Sequence, residues 1–424
     1  MYLRPPWRGT ISCSSPASVG RGEVAVRVSL NAQQFFGNAS AGFVYHGHPV
    51  IDGISPSSGA FVGGTLVNVS GSAFERGVHY TCAFGSQVVV ASFVPKYGVV
   101  SCFSPPGLPG EAATVEVSLN AQQYSSGGIA FTYHHVAVVS SFSPSSGPSS
   151  GGTRVVVSGD GLEGGSDYRC QFDSCGPCWT AWSCHECVVN GTYIANEAGS
   201  LSLGSIVCVS PQLGGWHNAT KAFVSLEVSL NSQQFTSSNE SKLPYVYYEV
   251  ANVVSVSPSL GPTDGLTLVV ITGTALDGAG SHLQCRFGAS VTPAEYDAIR
   301  HGIVCHAAVS GTAQSTSLPL QITLNGQQFA PSAVTYQYYV APRVSSILPS
   351  AGPVDGGTII EVHGSGLGGG VGATPDYQCR FYSVVVPAVI ATATTGLHIL
   401  RCTSPAQNAS SMPLEVSLNA QEAT

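Results

Sequence analysis

The chain has little charge of either sign. Of its 424 residues, 15 are Lys or Arg and 23 are Asp or Glu, so that charged residues make up 9% and the net charge is −8. Typical soluble domains carry roughly a quarter charged residues. This composition argues against an electrostatic nucleic-acid binder, which needs a basic surface. The 43% hydrophobic content argues against disorder, because that much apolar material can offset the entropy of ordering.

Methionine and long apolar runs are also scarce. Two Met beside 50 Gly argue against a helix bundle and favour strands joined by tight turns. No apolar run approaches the roughly 18 residues that span a bilayer, and residues 1–7 have no apolar signal core. The 13 Cys and six Asn-X-Ser/Thr sequons are nevertheless typical of an exported chain, so we expect a signal and an anchor outside this sequence. The sequons begin at Asn38, Asn68, Asn190, Asn218, Asn239 and Asn408.

An internal repeat organises the sequence. The segment Ser-Leu-Asn-X-Gln occurs four times, and a fifth copy has Thr323 in place of the Ser. A second marker, Ser-Pro-Ser-Ser-Gly or a close variant, begins at Ser55, Ser143, Ser257 and Leu348. The spacing of the Asn residues corresponds to one small domain per copy. The Asn residues of the five copies are Asn31, Asn120, Asn231, Asn325 and Asn419.

Each copy shows the two-residue alternation of half-buried strands. Before the second Asn marker, Val115, Val117 and Leu119 are predicted to face a core, while Glu116 and Ser118 face solvent. A turn is predicted at the Asn itself, a residue type that tolerates left-handed backbone, and Asn-Gly in one copy is a strong hairpin signal. The next strand carries aromatic residues, and these are Phe131, Tyr133, Tyr336 and Tyr338.

The fold class predicted from these patterns is all-β, with tandem copies in a linear rod and incomplete copies at both ends. No flexible linker separates the copies, which favours semi-rigid joints. The predicted domains are the C-terminal half of a copy at 1–47, complete copies at 48–135, 136–250 and 251–339, and a copy lacking its last strand at 340–424.

Each complete copy has one Cys before its middle and one after, in matching local contexts. A disulfide within each copy is the interpretation favoured over buried free thiols, because cytosolic domains rarely combine repeated Cys pairs with sequons. Cys13 matches the second Cys of a copy that begins before Met1. The predicted pairs are Cys82 with Cys102, Cys170 with Cys208, Cys285 with Cys305, and Cys379 with Cys402.

The other four cysteines lie in an insertion in the second complete copy, at about 173–200. They form two Cys-X-X-Cys pairs separated by five residues, at Cys175, Cys178, Cys184 and Cys187. Two disulfides are favoured over a zinc site, since the spacing is shorter than most zinc ribbons use, and over a thioredoxin-like redox site. Trp179 and Trp182 between the cysteines are candidate binding anchors, with packing inside the loop as the alternative.

Apparent catalytic motifs have simpler explanations. Ser149 lies in a Gly-X-Ser-X-Gly pattern, but the other copies have Phe61, Thr263 and Val354 there, so the shared feature is the turn. Two Gly-X-Gly-X-X-Gly segments, at 159–164 and 364–369, are not followed by helix-like sequence, as a dinucleotide site requires. The pair His134 and His135 is interpreted as solvated surface. No catalytic residue, metal or cofactor is predicted.

The segment from Ser143 to Gly159, Ser-Pro-Ser-Ser-Gly-Pro-Ser-Ser-Gly-Gly-Thr-Arg-Val-Val-Val-Ser-Gly, resembles the IPT/TIG domain, as do its counterparts from Ile54 and Ile347. This resemblance covers nearly the whole chain and implies that the copies are tandem immunoglobulin-like β-sandwiches. The third complete copy departs from the pattern, with Gly265-Leu266 where the others have two Gly, which predicts a different first turn.

The family resemblance implies either extracellular units of receptors and surface proteins or, in Rel-type factors, an intracellular dimerisation module. The acidic charge, the sequons and the paired Cys oppose the Rel-type function. We therefore expect a non-enzymatic recognition or adhesion ectodomain at the cell surface, with a protein or glycan ligand, no nucleic acid, and a membrane link only through an anchor outside this chain. A purely structural spacer rod is the alternative.

Overall fold

The structure is a computed structural model, and its elements are all strands. It describes residues 10–18, 20, 22–36, 42–173, 187–195, 204–213, 221–236, 244–277, 280, 282–312, 314–369, 376–393, 397–408 and 410–421. Within these ranges no helix has the length and apolar character that crossing a bilayer requires. The all-β prediction is confirmed.

The first described segment forms two small antiparallel ribbons. Strand β1 pairs with β4, and β2 pairs with β3. Their bounds are β1 (Gly22–Ala25), β2 (Val28–Ser29), β3 (Phe35–Phe36) and β4 (Gly42–Tyr45).

The first complete domain has eight strands, hydrogen-bonded in the order β5-β7-β10-β9-β8-β11-β12-β6. The first half of β9 pairs with β8 and its second half pairs with β10, so this strand joins two layers. The bounds are β5 (Val50–Ser55), β6 (Ser58–Ala60), β7 (Leu66–Ser72), β8 (Thr81–Phe84), β9 (Gln87–Val94), β10 (Val99–Phe103), β11 (Ala112–Ser118) and β12 (Ile129–His134).

The second and third complete domains repeat this strand order. The second has β13 (Val138–Ser143), β14 (Ser146–Pro148), β15 (Arg154–Asp160), β16 (Arg169–Asp173), β17 (Val188–Ile194), β18 (Ser205–Val209), β19 (Lys221–Ser229) and β20 (Pro244–Tyr248). The third has β21 (Asn252–Ser257), β22 (Leu260–Pro262), β23 (Leu268–Thr274), β24 (Gln284–Phe287), β25 (Ser290–Asp297), β26 (Gly302–His306), β27 (Thr316–Thr323) and β28 (Thr335–Tyr339).

The last domain has six strands in the order β29-β30-β33-β32-β31-β34, which matches the first six strands of that order in the other domains. Each of the four domains has a cis peptide bond before the Pro of its Ser-Pro or Leu-Pro marker. The strand bounds are β29 (Arg343–Leu348), β30 (Ile359–Ser365), β31 (Gln378–Phe381), β32 (Val384–Thr392), β33 (His398–Thr403) and β34 (Leu414–Ser417).

The core of each domain lies between the layers and follows the predicted alternation. In β11 and the residue after it, Val115, Val117 and Leu119 are fully buried, and Glu116 is half-buried. The prediction for Ser118 is wrong, because this side chain is fully buried and its hydroxyl donates to Asn120 Oδ1 at 3.2 Å. The strand alternation therefore ends in a polar, buried turn.

A disulfide connects the two layers of each domain, for example from β8 to β10 in the first. The Cα atoms of the four pairs are 6.3–6.5 Å apart, within the range that a disulfide spans. All eight cysteines are almost fully buried, so the bonds lie inside the cores. The bonded pairs are Cys82–Cys102, Cys170–Cys208, Cys285–Cys305 and Cys379–Cys402.

The chain divides into two compact units. Unit 1 comprises Met1–Ala137 together with Gly161–Asp167 and Ser229–Gln234. Unit 2 comprises Val138–Asp160, Tyr168–Val228 and Phe235–Thr424. Two short segments of the second domain are thus packed with the first domain, while most of the second domain lies in one unit with the third and the last.

The first turn of the third domain does not differ as its sequence predicts. Leu266 adopts a left-handed backbone with φ of +72°, close to the +83° of Gly152 at the same position of the second domain. The amide of Leu266 donates to Ala307 O at 2.9 Å, as the amide of Gly152 donates to Ser210 O at 2.9 Å. The domain therefore keeps the shared turn, at the cost of a conformation that disfavours a side chain.

Replacing Leu266 by Gly is expected to stabilise the third domain by about 1 kcal/mol, because the left-handed strain disappears and the lost side chain is 76% exposed. The converse change, Gly152→Leu, is expected to destabilise the second domain by about 1–2 kcal/mol. Native-state hydrogen exchange of the core amides of each domain measures both effects. Slower exchange after Gly152→Leu, or faster exchange after Leu266→Gly, would contradict this account of the turn.

Candidate functional site

The cysteine-rich insertion replaces a hairpin turn in the second domain. Strands β16 and β17 pair from Arg169–Asn190 to Gln171–Val188, and the insertion fills the gap between Asp173 and Val188. In the first and third domains two residues fill the corresponding gap, Gly85-Ser86 and Gly288-Ala289. The insertion therefore stands in the sequence between two paired strands, and Cys170 of the first of them is bonded to Cys208.

Most residues of the insertion lie outside the described part of the chain. Trp179, Trp182, Cys175, Cys178 and Cys184 are among them. Cys187, which is described, is disulfide-bonded. A bonded cysteine has no thiolate to offer zinc, so the zinc alternative finds no support at this position.

Three of the six sequons lie in the described part of the chain. The side chains of Asn190 and Asn408 are exposed, whereas Asn68 is half-buried and its Oδ1 accepts a hydrogen bond of 2.6 Å from the Ser101 hydroxyl. Asn190 and Asn408 are thus accessible to glycosylation in the folded domain. Asn38, Asn218 and Asn239 lie outside the described residues.

The motifs that resemble catalytic sites fall in turns. Ser149 lies between β14 and β15, and its amide donates to Tyr248 O at 2.8 Å, with no helix after it. The glycines that follow β15 lead through a loop into β16. The interpretation of His134 as solvated surface is wrong: this side chain is buried, its Nδ1 lies 2.7 Å from His135 O, and burial lowers its pKa.

The repeated Asn marker adopts the same turn geometry in each of its five copies. We call this turn the Asn turn, and its copies are residues 29–34, 118–123, 229–234, 323–328 and 417–421. In residues 118–123, Asn120 Oδ1 accepts hydrogen bonds of 3.1 Å from the amides of Gln122 and Gln123. The left-handed residue is the one after the Asn, which differs from the prediction that the Asn itself adopts this geometry. Its φ is +61° at Ala32, +59° at Ala121, +64° at Ser232, +75° at Gly326 and +60° at Ala420.

In unit 1 the Asn turn Ser229–Gln234 contacts the first domain through an edge at residues 64–66, which we call the acceptor edge. Gln233 accepts from the Leu66 amide at 3.0 Å and donates to Leu66 O at 2.8 Å. Gln234 donates to Gly64 O at 3.1 Å and accepts from the Thr65 hydroxyl at 3.2 Å. The two amide side chains thus hydrogen-bond to the backbone at the start of β7 as a neighbouring strand would.

In unit 2 the same contacts recur twice. Gln327 forms the pair of bonds with the backbone of Arg154, at 2.9 and 2.8 Å, and Gln328 donates to Gly152 O at 2.8 Å. In the last domain, Gln421 forms the pair with the backbone of Leu268, at 3.0 and 2.8 Å. The corresponding acceptor edges are residues 152–154 and 266–268.

The Asn of each of these turns reaches the same preceding domain. Asn231 Nδ2 donates to the Thr65 hydroxyl at 3.3 Å, and Asn325 Nδ2 donates to the Thr153 hydroxyl at 3.2 Å. Both Asn are 2% exposed. The sequence pattern predicts a hairpin at the Asn and indicates no role for the Gln residues. A Gln follows every one of the five Asn residues by two positions, once per domain, and this recurrence is the sequence feature that could indicate a role for the Gln.

A tyrosine cluster fills the core of the third domain beside its last strand. The rings of Tyr336 and Tyr338 meet edge to face at 5.0 Å, and Phe287 packs against both. The Tyr338 hydroxyl donates to Ala308 O at 2.7 Å. Burial raises the pKa of Tyr338 to about 12, because the phenolate would lose its solvation.

Alkaline pH is expected to destabilise the third domain through Tyr338. Since the folded-state pKa is raised above the unfolded value, this group's stabilisation is complete below pH 10 and is lost as the pH rises through about 12. The measurement is hydrogen-exchange stability of the third domain across that range, with Tyr338→Phe as the comparison. A Tyr338→Phe chain that loses as much stability as the wild type between pH 9 and 12 would contradict this assignment.

The described fold is a series of disulfide-bonded all-β domains of immunoglobulin-like class. The family model of the IPT/TIG domain matches residues 49–133, 137–245, 251–338 and 342–424. These matches cover most of the sequence, and the chain belongs to the IPT/TIG family.

Among characterised proteins the chain is similar to plexins and to a fibrocystin-like protein. It is 26% identical to Plexin A3 of Danio rerio over 246 residues, which are 54% of this chain and 11% of that protein. It is 32% identical to human Plexin-B1 over 121 residues, 27% of this chain and 5% of that protein. With human Fibrocystin-L it shares 28% identity over 130 residues, 30% of this chain and 3% of that protein.

Among solved structures, the full extracellular region of Plexin A4 matches 94% of this chain and 31% of its own length, at 17% identity and a TM-score of 0.39. The immunoglobulin domains 1–5 of Sidekick-1 match 95% of this chain and 94% of their own, at 10% identity and a TM-score of 0.19. The chain spans only about a tenth, or less, of the length of the plexins and the fibrocystin-like protein it matches.

Proposed function

We propose that the chain is part of a non-enzymatic ectodomain that recognises a protein at the cell surface. The observation that carries the proposal is that four IPT/TIG domains, similar in sequence to those of plexins, each hold a disulfide in the core. Such repeated disulfides persist in oxidising compartments. The exposed sequons at Asn190 and Asn408 are consistent with that environment.

Within this ectodomain we assign recognition to the insertion of the second domain. It is the segment in which one domain differs from its neighbours, and β16 and β17 hold its two ends side by side. The Cys170–Cys208 disulfide links β16, which precedes the insertion, to β18. Trp179 and Trp182 would supply the aromatic anchors that binding hot spots favour. A spacer without a ligand remains the alternative function, and replacing these two residues distinguishes the two.

Surface labelling tests the location. Intact cells that express the full-length protein are stained with an antibody against residues 136–250, before and after permeabilisation. The proposal expects full staining of intact cells, together with a loss of mass after enzymatic removal of N-linked glycans. Staining that requires permeabilisation, with no change in mass, would contradict a cell-surface ectodomain.

A further inference from the structure

We propose that His134 is a pH-sensitive switch at the contact between the first domain and the loop Gly161–Asp167 of the second domain. The contact weakens when the His134 ring gains a second proton. Both partners belong to unit 1, so the contact lies within one compact body. The proposal rests on the close approach of the loop, on the burial of the His134 ring and on the bonding of its two nitrogens.

The loop packs closely on the end of β12, where His134 is the last residue. A Cβ placed on Gly164 would lie 3.3 Å from His134 Cβ, which is a tight contact. Strand β6, which pairs with β12, also holds the loop, because the Ser58 hydroxyl donates to the Ser166 hydroxyl at 2.9 Å. The loop therefore covers the residue that would carry the charge.

The buried His134 ring can satisfy one proton and not two. His134 is 7% exposed, and its Nδ1 lies 2.7 Å from His135 O. Because a carbonyl oxygen only accepts, Nδ1 carries the proton of the neutral ring, and Nε2 carries none. Within the part of the chain that the structure describes, the buried Nε2 has no hydrogen-bond partner. A proton on Nε2 would thus create a buried charged donor without an acceptor, which costs free energy.

The ionisable side chains on the elements around His134 are His135, Glu111 before β11, and Glu163 and Asp167 in the loop. Asp167 is half-buried, and the other three are exposed. Burial lowers the pKa of His134 by more than the hydrogen bond to His135 O raises it, and the charge of His135 lowers it further. The surroundings of the ring therefore favour its neutral form.

Tyrosine occupies the same position in the next two domains. The carbonyl oxygens of His134, Tyr248 and Tyr339 each accept a hydrogen bond of 2.8–2.9 Å from the amide next after β6, β14 or β22. A Cβ placed on Gly369 would lie 2.8 Å from Tyr339 Cβ, so the loop of the last domain makes the equivalent approach. Tyr248 and Tyr339 are 4% and 1% exposed. Because tyrosine stays neutral between about pH 5 and 8, the position gains a charge in that range in the first domain and not in the other two.

The contact is expected to be complete above about pH 6.5, the ordinary pKa of histidine, and to weaken as the pH falls below that value. The pKa of His134 is lower when the loop covers the ring than when the ring is solvated. The open state therefore binds the proton more tightly, and acid shifts the equilibrium toward it. This is the pH range in which histidine-based sensors of endosomal acidity act.

NMR of the full chain between about pH 8 and pH 5 tests the proposal. The nuclear Overhauser effect between the β-protons of His134 and the α-protons of Gly164 reports the contact, and the imidazole signals of His134 report its protonation. Measured against the fixed contact between the rings of Phe131 and Tyr133, the effect is expected to lose at least about half of its intensity by about pH 5, with a midpoint below that of a solvated histidine. An intensity that is unchanged at this pH would overturn the switch.

The variant His134→Tyr is the matched control, because it places at this position the residue of the next two domains. It is expected to keep the contact to Gly164 at about pH 5, and a loss equal to that of the wild type would overturn the assignment to His134. The variant His135→Gln removes the exposed neighbouring imidazole and keeps the carbonyl that His134 contacts. It is expected to respond to acid as the wild type does, and a chain that no longer responds would assign the effect to His135 instead. The wild type and His135→Gln decide the proposal even where His134→Tyr does not fold.

Discussion

Replacing Cys285 and Cys305 by Ala is expected to lower the stability of the third domain by about 3 kcal/mol. The bond closes a loop of sequence separation 20 and lies in the core, with both cysteines 3% exposed or less. In the chain-entropy model, a loop of that length stabilises the folded state by roughly 3 kcal/mol because it restricts the unfolded chain. The cost is a large fraction of a single domain's stability.

Hydrogen exchange of the amides of β23 and β26 measures this loss in the full chain. The first domain is the matched control within the same molecule, because its Cys82–Cys102 bond, also of sequence separation 20, is left intact. We expect its exchange to be unchanged. Equal protection of the third domain with and without its disulfide would contradict a stabilising role for the bond.

The double variant Trp179→Ala/Trp182→Ala is expected to weaken capture of a surface ligand by at least about thirtyfold. This corresponds to the loss of about 2 kcal/mol that defines a hot spot. Trp179 and Trp182 belong to the insertion between β16 and β17, so the substitutions leave the sequence of the strands themselves unchanged. We expect the stability of the second domain to change by less than about 1 kcal/mol.

Binding of the full ectodomain to cells that carry the ligand and do not express this protein measures the effect. The exposed hydrophobic residues Val88 and Val90 of the first domain provide a control variant, Val88→Ala/Val90→Ala, which removes apolar surface away from the insertion. Capture that is unchanged in the Trp variant would contradict the insertion as the binding site. A loss that accompanies unfolding of the second domain would assign the two rings to the loop core instead.

The sequence predicts the fold well because two physical patterns determine it. The alternation around Val115, Val117 and Leu119 indicates which side chains face a core. The recurrence of the Asn marker after 89, 111, 94 and 94 residues indicates one small domain per copy. Cysteines in matching local contexts indicate that each domain has a disulfide at the same position of its core. These patterns are local, so one sequence is enough to read them.

Other features depend on contacts that a single copy does not contain. The roles of Gln233 and Gln327 are invisible within their own domain, because their partners Leu66 and Arg154 belong to another. Leu266 in place of Gly predicts a changed turn, but the hydrogen bond from its amide to Ala307 O holds the shared geometry against the local preference. In both cases contacts between residues far apart in the sequence determine the structure, and local conformational preference does not predict it.

Burial of individual polar residues was also harder to predict. Ser118 follows the strand alternation toward solvent in the sequence, yet its hydroxyl is enclosed by the turn that it helps to form. His134 looks like one of a solvated pair, but it is buried with its Nδ1 against His135 O. A polar side chain with a hydrogen-bond partner nearby in the chain can be buried without any signal in the hydrophobic pattern.

Mass spectrometry of the protein isolated from its natural source, without reduction, tests the central claim most directly. The account predicts that peptides containing Cys82 and Cys102, and those of the three equivalent pairs, are recovered as linked species, with N-linked glycan on Asn190 and Asn408. Recovery of these cysteines as free thiols, together with unmodified Asn190 and Asn408, would contradict an extracellular protein of disulfide-bonded IPT/TIG domains.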